Sequence, residues 1–448
     1  MNDSNYIDKN KIISRQGGAL AGSLIIPGDK SISHRALILA SLSIGETEIT
    51  GLLEGEDVLR TADALRGLGV IITKESDAKW KVNGVGIGGL SNSEGVIELG
   101  NSGTSARLLT GVLAGYGFQS ILTGDSSLIA RPMDRVINPL RQMGAMFHSN
   151  SEKLPLTIIG SDNLMPLNYE LPVASAQVKS AILLAGLHAP GETTIIEPKI
   201  TRDHTERMLK HFGADIQLED KKIGRLIKVK GQPDLKPSPI IIPSDPSSAA
   251  FPTVAATLVS ESEVIMPRVC INPTRMGFYT TLSEMGASIK WINKRTEAGE
   301  PIADLIVKSS LLNGTEVPAD RAPLMIDEYP VLAVAAACAK GKTIFKGIGE
   351  LRHKESDRVS AIADGLKKSG VRVEESEEEL IIYGDHMPPE GGNKIFVSLD
   401  HRIAMSFLVL GLVSKQPISI DDGRSIETSF PNFVGLMRSI GANIVTDK

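Results

Sequence analysis

The chain is 448 residues long, more than one compact core accommodates, so two domains are expected and a third is possible. Its composition, 42% hydrophobic and 23% charged, is that of an ordinary globular protein, and a net charge of −5 excludes a global attraction for nucleic acid or an anionic membrane, so any anion site must be local. The two cysteines, Cys270 and Cys338, lie far apart without a C-x-x-C or Cys/His ligand spacing, which argues against a zinc site or a disulfide framework and fits a reducing cytosol.

The leading stretch MNDSNYIDKNKIISRQGG has no apolar signal core, and its acidic residues are unlike a transit peptide. No apolar run reaches the roughly 18 residues that a membrane span requires, so an unprocessed, soluble chain is expected. SRQGGALAGSLIIPG has strand character yet precedes the first repeating element, which places one crossing between domains near Gly22.

From there the chain repeats itself six times. Helices open with DKSISHRALILASL, NSGTSARLLTGVLAG, ASAQVKSAILLAGL, DPSSAAFPTVAATL, DEYPVLAVAAACA and DHRIAMSFLVLGL, each apolar nearly all round and therefore predicted to be buried. Counting from Lys30, Gly103, Ser175, Ser247, Asp327 and His401, a second, amphipathic helix ends 38 to 43 residues later at Gly69, Gly144, Gly213, Gly286, Gly370 and Gly441. A glycine there can take the positive φ that stops a helix, and the β-branched or apolar residues after it start a strand. Six buried helices need strands around them, three repeats to a domain. GQPDLKPSPIIIPSDPSS, with its five prolines, marks the other crossing. The expected domains are residues 23–243 and residues 1–22 plus 244–448.

Cations crowd the helix mouths. Lys30, Arg35, Arg107, Lys179 and Arg402 fall within the first two turns of the buried helices, where a helix already carries partial positive charge and acidic residues are preferred. A single such residue reads as a solvated side chain; repetition points to a shared anion site, to which ARPMDR and KESDR add Arg131, Lys354 and Arg358. MIDEYP supplies Asp327 and Glu328 at a helix mouth, and RHKESDR, if helical, puts Lys354 and Arg358 on one face with Glu355 beside them. The plain alternative for that stretch is a surface ion-pair helix. His34, His204 and His401 flank these motifs and are expected to be structural.

Through PGDKSISHRA, LLEGEDV, RPMDRVINPLRQMGA, ASAQVKSAILLAG, TRDHTERML, IDEYPVLAVAAA, LRHKESDR and DHRIAMSFLVLGL, in that order, the chain resembles the 5-enolpyruvylshikimate-3-phosphate (EPSP) synthase family, and most closely its bacterial class II branch. The resemblance implies an α/β fold of two inside-out domains, each of three βαβαββ repeats with helices buried and sheets outside. It implies transfer of the enolpyruvyl group of phosphoenolpyruvate to the 5-hydroxyl of shikimate 3-phosphate through a tetrahedral intermediate, with no metal and no organic cofactor. By the family pattern Lys30, Asn101, Gly103, Thr104, Arg131, Arg358, His401 and Arg402 surround phosphoenolpyruvate, and Ser31, Arg35, Ser175, Gln177 and Arg202 hold shikimate 3-phosphate. Asp327 is the expected base toward the 5-hydroxyl and Glu355 the acid toward the methylene carbon, with Lys30 or Lys354 relaying protons. Closure of the two domains on substrate is implied as well.

Two positions vary within the family. Gly103 stands where glyphosate-tolerant members of this branch carry alanine, so inhibition by glyphosate is expected, and Thr428 in IETSFPNF stands where the other bacterial branch has a lysine. A UDP-N-acetylglucosamine enolpyruvyl transferase is the nearest rival, but its loop cysteine has no counterpart here, because Cys270 and Cys338 sit in apolar surroundings. A phosphate- or RNA-binding scaffold is disfavoured by the near-neutral charge and by 4% aromatic residues. A cytoplasmic monomer that binds neither nucleic acid nor membrane is expected.

Overall fold

A computed structural model describes residues 11–446. They form two compact units: an N-unit of Gly28–Pro243 with Thr296–Pro301, and a C-unit of residues 11–27, Ser244–Arg295 and 302–446. The expected second domain also included residues 1–10, 447 and 448, which lie outside the described residues. Among the described residues no helix is long and apolar enough to cross a membrane.

Each unit contains three four-stranded sheets, one per repeat. In the second repeat Gln119–Thr123 pairs in parallel with Ile97–Glu98 and antiparallel with Leu156–Ile159, whose other edge takes Met146–Ser149. The helices Gly103–Leu113 and Asp134–Gln142 lie between these strands in sequence, which makes the repeat βαβαββ. The fold is α/β, with sheets outside and helices inside.

The six inner helices are α1 (Lys30–Leu42), α2 (Gly103–Leu113), α3 (Ala176–Gly186), α4 (Pro246–Leu258), α5 (Tyr329–Ala337) and α6 (His401–Gly411). Every residue of α5 and α6 is buried, as are Ile32–Leu42 of α1, in keeping with their lack of a polar face. Their hydroxyls are satisfied inside the helix: Thr110, Ser180, Thr253 and Ser406 each donate to the carbonyl four residues back. Small residues set the spacing. A methyl added at Gly111 of α2 would stand 2.3 Å from the carbonyl oxygen of Ala181 in α3, so the two backbones meet only because glycine is there.

All six repeat glycines adopt positive φ, from +84° at Gly370 to +110° at Gly144, and each ends the outer helix of its repeat. Three sheets borrow a strand from elsewhere in the chain. Ile240–Ile241 supplies the first strand of the first repeat by pairing in parallel with Ile49 and Thr50. Ala21–Ser23 does the same for the fourth repeat against Glu263–Ile265, and Ile12–Ser14 lies between Ile418–Ile420 and Ile444–Thr446 in the sixth. The chain leaves the C-unit at Pro27 and re-enters it at Ser244.

Candidate active site

In the N-unit the mouths of α1, α2 and α3 carry the candidate residues. The Asp29 carboxylate caps α1 by accepting from the Ile32 amide at 2.8 Å, which sets Lys30 in the first turn. The Lys30 ammonium donates to Asp57 Oδ2 at 2.6 Å, and Asp57 is itself nearly buried, so the lysine is held in place by a partner on the neighbouring helix Glu56–Gly67. At α2, Ser102 caps the helix and leaves Gly103 as its first residue. Arg131 crosses that mouth from the end of the helix Ser126–Ala130, donating to Asn101 Oδ1 at 2.7 Å and Ser127 Oγ at 3.1 Å. Asn101 in turn donates to Asp125 at 2.7 Å. Ser175 caps α3, and Gln177 Nε2 reaches Thr104 Oγ1 at 3.0 Å, tying the mouths of α2 and α3 together.

Arg35 lies one turn deeper. Its guanidinium donates to Thr205 Oγ1 at 2.7 Å, Ser180 Oγ at 2.8 Å and the Ser31 carbonyl at 2.9 Å. Burial pulls its pKa down to about 10 against the favourable fields of Glu206 and Asp29, and repulsion from Arg202 pushes the same way as burial. Arg35 is therefore still charged at neutral pH, with Arg202 within electrostatic reach.

Lys179 departs from the expectation that it belongs to the anion-binding set. It is fully buried, paired with Glu197 at 2.9 Å and Glu206 at 2.8 Å, both also without exposure. Its charge is consumed inside the fold, a fact that the spacing of cations along the chain does not convey. His34 and His204 have structural partners: Nδ1 of His34 meets Thr61 Oγ1 at 2.8 Å, and Nδ1 of His204 meets Glu300 Oε1 at 2.7 Å. Burial, aided by Lys30 and Arg35, holds the His34 pKa well below the usual imidazole value.

In the C-unit one arginine organises the site. Arg358 is buried, and its Nε donates to Asp400 Oδ2 at 2.8 Å, Nη1 to Asp327 Oδ1 at 3.3 Å and Nη2 to Glu355 Oε2 at 2.5 Å. Arg402 Nε stands 3.7 Å from the same Asp327 oxygen. Asp400 caps α6 through the amide of Arg402 at 2.9 Å, so the residue that starts this helix also seats Arg358. Burial lowers the Lys354 pKa, opposed by Asp327 and Glu355 and assisted by Arg358. Three carboxylates thus converge on Arg358, with Arg402 at one of them and Lys354 in the field of two, and a cation released from its carboxylate could take a phosphate or carboxylate oxygen. His401, the first residue of α6, is nearly buried beside them.

RHKESDR is not one helix, so the condition for Lys354 and Arg358 to share a helical face is not met. Gly349–His353 is a 3-10 turn, and the next α-helix starts only at Arg358, capped by Asp357, which accepts from the Ser360 amide. Glu355 lies in the irregular segment between them and still meets Arg358 three residues on. Asp57 and Asp400 escaped the sequence reading because each acts through a partner distant in sequence; a capping aspartate directly before HRIAM was the one available signal for Asp400. Thr428 closes its own 3-10 turn by donating to the Ser425 carbonyl at 2.7 Å and brings no charge. Cys270 is buried, and burial raises the half-buried Cys338 thiol to about 12, so Cys338 supplies no thiolate at neutral pH.

The fold is shared with the enolpyruvyl transferase NikO from Streptomyces tendae, which superposes with a TM-score of 0.78 over 98% of this chain and 99% of that one, at 17% identity. The chain belongs to the EPSP synthase (3-phosphoshikimate 1-carboxyvinyltransferase) family, whose pattern it matches over residues 14–437. A 3-phosphoshikimate 1-carboxyvinyltransferase of Paramagnetospirillum magneticum is 55% identical over 97% of this chain and 98% of its own length. The EPSP synthase of Acinetobacter baumannii, 44% identical, superposes with a TM-score of 0.87 over 98% and 100%. The chain is accordingly an enzyme of the shikimate pathway that acts on phosphoenolpyruvate and shikimate 3-phosphate.

Proposed function

We propose that the enolpyruvyl transfer is divided among these residues as follows. Lys30, Asn101, Gly103, Thr104 and Arg131 of the N-unit, and Arg358, His401 and Arg402 of the C-unit, serve phosphoenolpyruvate. Ser31, Arg35, Ser175, Gln177 and Arg202 serve shikimate 3-phosphate. Asp327 takes the proton of the 5-hydroxyl, making it the nucleophile for C2 of phosphoenolpyruvate, while Glu355 delivers a proton to the methylene carbon, giving the tetrahedral intermediate. Loss of phosphate and of a methyl proton then restores the enol double bond, and Lys30 or Lys354 relays protons.

The observation that carries this reading is the grip of Arg358 on both Asp327 and Glu355. A guanidinium beside a carboxylate favours its ionised form, which suits a base and opposes an acid. A substrate oxyanion that takes the guanidinium frees both carboxylates for proton transfer. The low Lys354 pKa suits a relay.

Asp327→Asn tests the assignment. It keeps the shape and removes the base, so kcat falls by roughly 10²- to 10⁴-fold while shikimate 3-phosphate still binds. Near-wild-type turnover removes Asp327 from the mechanism. The reading further includes a monomeric, cytoplasmic enzyme inhibited by glyphosate, with two domains that correspond to the N-unit and the C-unit.

A further inference from the structure

Arg202 sits at the end of the loop that joins the strand Glu192–Glu197 to the helix His204–His211. Beneath that loop lies the buried cluster of Lys179, Glu197 and Glu206. Three ionisable groups without solvent are expensive as scaffolding alone, since well-packed apolar side chains of similar volume are often as stable or more so, and burial raises the pKa of the Glu206 carboxyl against the field of Lys179. Glu197 does more than neutralise Lys179. Its Oε1 accepts from the Thr201 amide at 3.0 Å and also from the Thr201 hydroxyl. The carboxylate therefore closes the loop one residue before Arg202.

The same cluster joins the two elements that seat Arg35. Lys179 is on α3 beside Ser180, and Glu206 is on the outer helix beside Thr205. Ser180 Oγ and Thr205 Oγ1 lie 2.7 Å apart and both accept from the Arg35 guanidinium. Both arginines assigned to shikimate 3-phosphate are thus fixed by parts that one ion cluster holds together.

We propose that Glu197, anchored by Lys179, is a positioning residue for shikimate 3-phosphate: it fixes Thr201 and so aims Arg202 at the substrate. This rests on the reading that Arg202 holds shikimate 3-phosphate. Thr201→Val removes the hydroxyl donor at constant volume, Thr201→Ser keeps it, and Glu197→Gln removes the charge at constant shape. The affinity for shikimate 3-phosphate is measured by calorimetry on these variants and on Arg202→Ala, with kcat and both KM values alongside.

Thr201→Val and Glu197→Gln should weaken shikimate 3-phosphate binding by about fivefold or more, with kcat and the KM for phosphoenolpyruvate within about twofold of wild type and with Thr201→Ser close to wild type. Added to Arg202→Ala, each should cost little further, because the loop acts only through that arginine. Wild-type affinity in Thr201→Val, or losses that add in full to that of Arg202→Ala, overturns the proposal while leaving Arg202 as a ligand. Wild-type affinity in Arg202→Ala overturns the underlying assignment, and the proposal with it. If Glu197→Gln does not fold, the contrast between the two Thr201 variants decides.

Discussion

Gly103→Ala isolates one contact in the proposed phosphoenolpyruvate site. The added methyl would stand 2.7 Å from Arg107 Nη1, 3.1 Å from Arg131 Nη1 and 3.8 Å from Leu128 Cδ1. Gly103 does not adopt a left-handed φ, so alanine fits the backbone, and in a helix it stabilises by up to about 1 kcal/mol. The clash therefore falls on two flexible guanidinium tips. Arg107 must move, and Arg131, bonded to Asn101 and Ser127 from the same end, must give by a few tenths of an ångström at the position from which it would meet an anion. Losing one charge-assisted bond costs roughly 1.5 to 3 kcal/mol, which raises the KM for phosphoenolpyruvate roughly 10- to 150-fold. Steady-state kinetics at saturating shikimate 3-phosphate, with thermal melting as a control, reads this directly. Glyphosate, at matched phosphoenolpyruvate, should inhibit the wild type and lose hold on the variant. An unchanged KM in a well-folded variant refutes the placement of Gly103, and a wild type strongly resistant to glyphosate refutes the predicted sensitivity.

Two further predictions concern the scaffold. Burial lowers the His188 pKa from 6.5 to about 4, so the unfolded chain binds a proton that the folded chain refuses. The stabilisation is complete above pH 6.5 and is lost as pH falls toward 4, by about 2 kcal/mol between pH 7 and 5. Urea unfolding at both pH values should show that His188→Gln flattens the slope by this amount; an unaltered slope contradicts the assignment. Lys179→Met leaves Glu197 and Glu206 buried without a counter-ion and should cost about 3 to 5 kcal/mol, seen as a lower urea midpoint. A midpoint equal to wild type means that the cluster is not ionised as drawn.

Much of the architecture was legible because its signals are local. Six glycines that end amphipathic helices and six helices without a polar face each announce themselves within about a dozen residues, and the positive φ at Gly69, Gly144, Gly213, Gly286, Gly370 and Gly441 is the physical basis of that repeat. The pairing of the borrowed strands was not legible, although SRQGGALAGSLIIPG showed strand character. Ile240–Ile241 and Ala21–Ser23 are two and three residues long, too short to show a period, and their partners lie about 190 and 240 residues away in the chain.

Charge was read well as a pattern and poorly as a state. Lys179 and Arg402 look alike at their helix starts, yet one is neutralised by Glu197 and Glu206 and the other stands at the Asp327 carboxylate. Counter-ions from separate elements decide which cation remains available for a ligand, and a sequence shows the cations without their partners. The irregular backbone between His353 and Arg358 has the same origin. Asp400 and Asp327 recruit Arg358, and the 3-10 turn and Asp357 cap replace the continuous helix that the spacing of KESDR allowed.

The central claim is that this chain joins phosphoenolpyruvate to shikimate 3-phosphate by chemistry that expels phosphate. A phosphate-release assay on the purified protein, run with both substrates and with each alone, tests it most directly. Release that requires both, with one phosphate per enolpyruvyl group transferred, is the predicted result. Release from phosphoenolpyruvate alone, or none with both present, contradicts the account.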